Sequence, residues 1–243
     1  MKQYKHRFTL LPLLIFCMTF MLAGCDLIAP AEPAPVPTAT PDGNLIFFQT
    51  DAYRLELTEG GVVPGTQLRF ISYDENTSEF LVSIDGRSTL KKSGDSFEWE
   101  GVLAPGVLSD FELILSQLTF GEPFTSGQVT LTILNPNPVE LDATLPPPPA
   151  TFVFEDLDIS YRVPLGRVIP GTQLSYGGTS DNGAVLNGTA GSPFRRENDS
   201  LIWQGSLTEN VTLRYDLTVA EITETEMALI GTGTIWIDKR DFN

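Results

Sequence analysis

Two pairs of adjacent basic residues stand out in a chain that has few cations. Lys91-Lys92 and Arg195-Arg196 each lie a few residues ahead of a tryptophan, in a sequence of 15 basic and 31 acidic residues. Paired cations clamp carboxylate or phosphate groups through charge-assisted hydrogen bonds. They also protect the edge strands of sheets and balance nearby acids. The pairs are therefore candidate anion or partner contacts, with edge protection as the alternative.

A third candidate is Trp236. Its neighbours Ile235 and Ile237 follow the alternation of buried strand positions, which places Trp236 on the outward face. An outward indole can pack against another domain, contact a partner or stack on a sugar ring. We predict interdomain packing first, with the other two contacts as alternatives.

Acidic residues supply the remaining possible chemistry. Paired carboxylates hydrolyse glycosidic bonds in many enzymes, but no spacing in this sequence nominates a pair. No D-x-[DN]-x-[DN]-G calcium loop occurs, although a calcium site assembled from several loops stays open. A serine activated by lysine would need Lys91, Lys92 or Lys239. This is disfavoured, because the positions that match Lys91 and Lys92 hold arginine, which does not act as a base. We expect no catalytic residue, no bound metal and no cofactor.

These candidates belong to a sequence that repeats itself. VVPGTQL at 62–68 returns as VIPGTQL at 168–174, and GDSFEWEGVL at 94–103 is matched by NDSLIWQGSL at 198–207. Trp236 of the later segment replaces Thr132 of the earlier one. One module of about 90 residues is therefore present twice.

The repeat defines the expected domain organisation. The first β-domain covers residues 44–134 and the second covers residues 151–243. Between them, residues 135–150 contain four consecutive prolines, a run that neither a strand ladder nor a helix interior tolerates. We predict a semi-rigid connector between two domains, each with its own core.

The fold class follows from a hydrophobic period of two. Segments such as YRLELT, EFLVSID and FELILS alternate in polarity and are separated by clusters of Gly, Pro, Asn and Asp. The sequence predicts an all-β protein with two tandem homologous antiparallel β-sandwich or small β-barrel domains of about 90 residues each, with six or seven strands. Trp99 and Trp203 share phase with core residues and should face inward.

Two kinds of tight turn explain the repeated phrases. Pro64-Gly65 and Pro170-Gly171 suit the central positions of a type II turn, since proline presets φ and glycine supplies a positive φ. Asp95 and Asp199 should each bond the backbone of their own turn ahead of the tryptophan strand. We expect these residues to have structural roles, with a ligand-binding loop or site as the alternative.

The N-terminus carries a targeting signal. Basic residues precede an uncharged apolar run from Leu10 to Leu22, which is too short to span a bilayer comfortably. The run ends in Leu22-Ala23-Gly24-Cys25, which resembles the lipobox of bacterial lipoproteins. The resemblance implies that residues 1–24 are removed, that Cys25 is lipidated, and that a Pro/Ala-rich spacer of residues 25–43 follows. It implies anchoring on the extracytoplasmic face of a bacterial membrane.

Removal of residues 1–24 would change the inventory of reactive groups. His6 and Cys17 would leave and Cys25 would carry lipid, so the mature chain would have no histidine, no free thiol and no internal disulfide. This excludes catalysis and metal ligation by His or Cys. The net charge would fall from −16 to about −19, which argues against nucleic-acid binding.

Together these features predict a membrane-anchored lipoprotein with a non-catalytic binding or scaffolding module. The expected partners are the membrane, through the lipid, and an envelope glycan or protein. The alternatives are a carboxylate-based hydrolase, or its accessory subunit, acting on envelope polysaccharide, and a structural spacer.

Overall fold

The structure, a computed structural model, describes residues 45–117, 123–144 and 149–239. Every regular element in these ranges is a β-strand, and every strand pair is antiparallel. The predicted all-β fold is confirmed, and its packed antiparallel sheets are compatible with a β-sandwich or a small barrel.

The first half of the chain contains two sheets. A four-stranded sheet has the order β1-β7-β6-β5, and a three-stranded sheet has the order β2-β3-β4. The strands are β1 (Leu45–Glu56), β2 (Arg69–Asp74), β3 (Glu79–Ile84), β4 (Arg87–Lys92), β5 (Ser96–Ala104), β6 (Val107–Gln117) and β7 (Pro123–Leu134).

The second half contains the same arrangement with one additional strand. The larger sheet has the order β8-β13-β14-β15-β9, and the smaller has the order β10-β11-β12. The strands are β8 (Val139–Glu140), β9 (Phe152–Pro164), β10 (Ser175–Ser180), β11 (Gly183–Asn187), β12 (Phe194–Arg195), β13 (Ser200–Thr208), β14 (Val211–Ile222) and β15 (Glu226–Ile237).

The strands form where side chains of alternating polarity cover one face of a sheet. In β6, Val107, Ser109, Phe111, Leu113 and Leu115 are all buried, and the residues between them are exposed. This alternation is what a sheet with one covered face requires.

A β-bulge preserves the inward face of β1. Thr50 pairs with Val129 and Tyr53 pairs with Gly127, so Asp51 and Ala52 together oppose one residue of β7. The extra residue shifts the parity of the strand, and residues on both sides of the bulge therefore face the same side of the sheet. Strand β9 has the corresponding irregularity at residues 155–156.

The repeated PGT phrase forms the predicted turn in both halves. Gly65 and Gly171 have φ of 79° and 75°, and the N–H of the following threonine donates to the carbonyl of the residue before proline, at 3.0 and 3.1 Å. The Thr66 and Thr172 hydroxyls donate to the same carbonyls, at 2.9 Å each. The phrase recurs because proline, glycine and threonine each supply one contact of this turn.

The two halves share one hydrophobic core. Phe48 of β1 lies 6.4 Å from the ring of Tyr215 in β14, and Phe154 of β9 lies 6.5 Å from the ring of Phe111 in β6. Tyr53 of β1 also contacts Phe154, at 6.0 Å, and the buried apolar residues of both halves form a single cluster. The expectation of two separate cores is therefore wrong, because β1 packs on β14 of the other half and β9 packs on β6. The predicted domain boundaries stay predictions.

Part of the connector also belongs to the fold. Val139 and Glu140 pair with Ser206 and Gly205 at the edge of β13, so this segment is a strand rather than only a spacer. The prolines did not prevent this, because the pairing residues precede the proline run.

We predict that Phe154→Ala lowers the free energy of unfolding by about 3–5 kcal/mol, because the ring is buried between the two halves. Val153→Ala is the matched control, since its side chain is 44 % exposed on the same strand and should change stability by at most about 0.5 kcal/mol. Denaturant unfolding measures both values. Equal losses in the two variants would contradict the shared core.

Candidate functional site

The basic pairs border turns that are held by aspartate. The N–H of Lys92 donates to Asp95 Oδ2 at 2.8 Å, and the N–H of Arg196 donates to Asp199 Oδ2 at 2.7 Å. In return, the N–H of each aspartate donates to the carbonyl of Lys92 or Arg196, at 3.0 Å. The predicted structural role of Asp95 and Asp199 is confirmed.

Two of the four basic side chains bind the backbone near them. Lys91 Nζ donates to the carbonyl of Ser96 at 3.3 Å. Arg195 Nη1 donates to the carbonyls of Ser192 and Phe194, at 2.8 Å each. These contacts fasten the segments around the side chains. An anion bound to Lys91 or Arg195 would compete with them.

Lys92 and Arg196 are exposed, and Arg196 borders a shallow, open depression of about 560 Å³. The hairpin tip Thr179–Gly183 forms one wall, and Glu197 lies beside Arg196. Glu197 accepts a hydrogen bond from the N–H of Ile222, at 3.3 Å. The depression combines one guanidinium with carboxylate, amide and hydroxyl groups, which suits weak polar contacts. The two basic pairs lie on different three-stranded sheets, and an anion-binding role for them stays a prediction.

Trp236 faces outward from the five-stranded sheet, as the alternation predicted. It pairs with Thr212 of β14 and Val153 of β9 and is half-buried, whereas Ile235 and Ile237 are fully buried. Contact between this indole and another domain, a partner or a sugar stays a prediction.

A cross-strand row of exposed apolar side chains crosses the outer face of the first sheet. Phe47 pairs with Thr132, Thr132 with Leu108, and Leu108 with Val102. The exposed fractions are 42 % for Phe47, 39 % for Leu108 and 56 % for Val102. The sequence prediction missed this row. The signal was the apolar run Ile46-Phe47-Phe48, since a strand that buries its first and third residues must expose the second.

The second sheet has a corresponding row that contains Trp236. Val153, Trp236 and Thr212 occupy successive strands, and Ser206 and Val139 continue the row across β13 and β8. Val153 and Val139 are 44 % and 49 % exposed. Both large sheets therefore present apolar side chains at the same register of their outer faces.

Acidic residues oppose each other directly on the outer face of the first sheet. Glu98 pairs with Glu112, and Glu100 pairs with Asp110, between β5 and β6. Like charges at opposed cross-strand positions destabilise a sheet. At the corresponding positions the second half pairs Ile202 with Asp216 and Gln204 with Arg214, and it joins Arg214 to Asp216 in a 3.1 Å ion pair. At these positions only the first half opposes one acidic residue to another.

A buried tyrosine pair ties the PGT turn of the second half to its central strand. Tyr215 OH donates to the carbonyl of Pro170 at 3.1 Å, so the 2.9 Å contact between the two hydroxyls must be a donation from Tyr161 to Tyr215. Burial raises the pKa of Tyr161 to about 12. Burial and the neighbouring Tyr161 raise the pKa of Tyr215 well above its usual range. The first half has Leu55 and Phe111 at these positions and lacks this network.

No protein family model, curated protein or solved structure matches this chain. Within the described ranges no helix is long and apolar enough to cross a membrane. The same ranges contain no group of three or more Asp, Glu, His or Cys side chains placed to hold a metal ion. Cys25, the predicted lipidation site, lies outside the described residues.

We predict that Tyr161→Phe makes stability less sensitive to alkaline pH. An unfolded tyrosine loses its proton near pH 10, whereas folded Tyr161 keeps its proton until about pH 12, so rising pH favours the unfolded state across this window. The wild-type free energy of unfolding should fall more steeply than that of the variant, by about 1.4 kcal/mol per pH unit. Denaturant titrations between pH 7 and 11.5 measure the slopes, which should agree below pH 9. Equal slopes above pH 10 would contradict burial of the Tyr161 hydroxyl.

Proposed function

We propose that the protein is a membrane-anchored, extracytoplasmic lipoprotein whose β-strand unit is a non-catalytic binding or scaffolding module. The lipobox-like sequence that ends at Cys25 supports the anchor. The exposed apolar rows on the outer faces of the two large sheets support the binding role, and they carry the proposal.

The row on the first sheet supports binding because its apolar side chains lie outside the core and are exposed. Phe47 and Val102 point away from the core and keep about half of their side-chain surface in water. Apolar side chains that are exposed together, rather than scattered singly, are typical of contact surfaces. Trp236 adds an aromatic ring at the same register, and aromatic rings bind both proteins and sugars.

The placement of the acidic pairs favours binding over hydrolysis. A glycoside hydrolase holds its two carboxyl groups on either side of a cleft and raises the pKa of one of them by burial. Glu98, Glu100, Asp110 and Glu112 are exposed on the outer face of a sheet, where water reaches all four. Their charges suit attraction of a cationic partner better than proton donation.

Ligand-dependent thermal unfolding of the full-length protein in non-ionic detergent tests the binding role. The panel contains soluble cell-wall fragments, polysaccharides and Ca²⁺. A bound ligand at a hundred times its Kd should add about 2.7 kcal/mol to stability and raise Tm by several degrees. Trp236→Ala should abolish the shift, and Ile202→Ala, an exposed position in another row of the same sheet, should preserve it. An absence of shifts, together with an absence of crosslinked protein partners in native membranes, would contradict the binding role.

The anchor has a separate test. Cys25→Ser removes the thiol that would carry the lipid. When the signal peptide is removed without lipidation, the variant should move from the membrane fraction to the soluble fraction. Cys17→Ser is the control, because this residue lies within the predicted signal peptide and should leave lipidation intact. Mass spectrometry of the N-terminal peptide detects the acyl groups. An unmodified Cys25 in the wild-type protein would refute the anchor.

A further inference from the structure

The second half shows how the edge of its large sheet accepts an additional strand. The short strand β8 lies antiparallel to β13, with Val139 opposite Ser206 and Glu140 opposite Gly205. The N–H of Leu141 donates to the carbonyl of Gln204 at 2.8 Å, which extends the ladder by one residue.

The first half has the same edge but no described strand covers it. Strand β5 is the last strand of its sheet and pairs only with β6 among the described strands. Glu100, Gly101 and Val102 correspond to Gln204, Gly205 and Ser206, because the two triplets follow the tryptophans of the matching strands β5 and β13.

A glycine is required at the centre of each edge because a tryptophan ring packs against it, and its missing side chain also lets another strand approach closely. A Cβ on Gly101 would lie 2.4 Å from the Trp99 indole, and one on Gly205 would lie 2.2 Å from the Trp203 indole. Each indole therefore folds over its glycine. A Cβ on Gly205 would also lie 2.7 Å from the carbonyl oxygen of Val139, so the added strand approaches the backbone closely at this point.

The two tryptophans differ in burial. Trp203, whose strand is covered by β8, is 2 % exposed, whereas Trp99 at the uncovered edge is only partly buried. Gln204 is likewise buried and Glu100 is exposed. The first half therefore leaves in solvent the surface that the second half covers with its own connector.

Charge selects the kind of strand that fits this edge. Glu98 and Glu100 project from β5 on the outer face, opposite Glu112 and Asp110 of β6. A second copy of this acidic chain would bring like charges together at the edge. Protection of the edge against association would need charges on β5 only. Asp110 and Glu112 lie on an interior strand, so edge protection does not explain them. The arrangement is complementary to lysine or arginine.

We propose that the β5 edge binds an extended, basic segment of a partner protein, which adds to the sheet as an antiparallel strand beside Glu100–Val102. This inference rests on the proposed binding function and names the class of partner. Alternate residues of an added strand share a face, so the segment carries an apolar residue opposite Val102 and basic residues opposite Glu100 and Glu98. Backbone hydrogen bonds supply affinity, and the cation-carboxylate pairs supply selectivity.

Two synthetic peptides test the proposal on the full-length protein in non-ionic detergent. One peptide is acetyl-Thr-Val-Thr-Lys-Thr-Lys-Thr-amide, and the other has glutamate in place of both lysines. The lysine peptide should bind more tightly, by at least about tenfold, in isothermal titration at low salt. The double variant Glu98→Lys/Glu100→Lys should reverse the preference. Equal affinities for the wild-type protein, or no binding of the lysine peptide, would overturn the proposal.

A backbone variant separates strand addition from simple charge attraction. Val102 corresponds to Ser206, which pairs with Val139, so Val102→Pro should remove a backbone donor from the open edge and abolish binding. Val102→Thr keeps the donor and should retain binding. The melting curve of each variant verifies folding. Undiminished binding to folded Val102→Pro would show charge attraction without a strand and would also overturn the proposal.

The outcome of this test can be distinguished from the outcome for the broader proposal. Ile202→Ala lies on the other large sheet, outside both proposed contacts, and should leave peptide affinity unchanged. If the peptides fail while the ligand panel still gives a shift that depends on Trp236, the edge inference falls and the binding function stands.

Discussion

The reciprocal burial of Phe48 and Phe154 is the contact on which the rest of the structure depends. Each ring leaves its own half of the chain and covers the central strand of the other half, where it meets Tyr215 or Phe111. The inner face of each large sheet is therefore covered in part by an aromatic ring from the other half. Removing one half would expose the buried face of the other to water, at a cost of about 25 cal/mol for each Å² of apolar surface.

On this common framework the two halves have different surfaces. In the second half Arg214 pairs with Asp216, Tyr215 donates to the carbonyl of Pro170, and β8 covers the edge of the large sheet. At the corresponding positions the first half leaves carboxylates opposed and a tryptophan partly exposed. We interpret the first half as the part that retains unused contact capacity, at the open edge of its large sheet. A surface that stabilises the fold neither by packing nor by pairing its charges is a candidate for recognition.

Local chemistry was predictable from the sequence, and long-range packing was not. Strand period, the Pro-Gly turns and the Asp95 and Asp199 turns each depend on residues that are adjacent in the chain, and all of them appear as predicted. The shared core depends on which two sheet faces pack together. The alternation of polarity shows only that a face is buried, and does not show what it packs against. The β8 strand was hidden by the prolines that follow it. The opposed acidic pairs require the register of β5 against β6, which no single segment encodes.

Native-state hydrogen exchange tests the shared core most directly. It gives the free energy of opening for individual backbone amides in strands β6 and β14. If the two halves are one cooperative unit, the most protected amides of both strands should exchange through the same global unfolding, with equal free energies and equal denaturant dependence. A first half whose β6 amides exchange at much lower free energy, while β14 stays protected, would show that the halves unfold separately and would contradict the account.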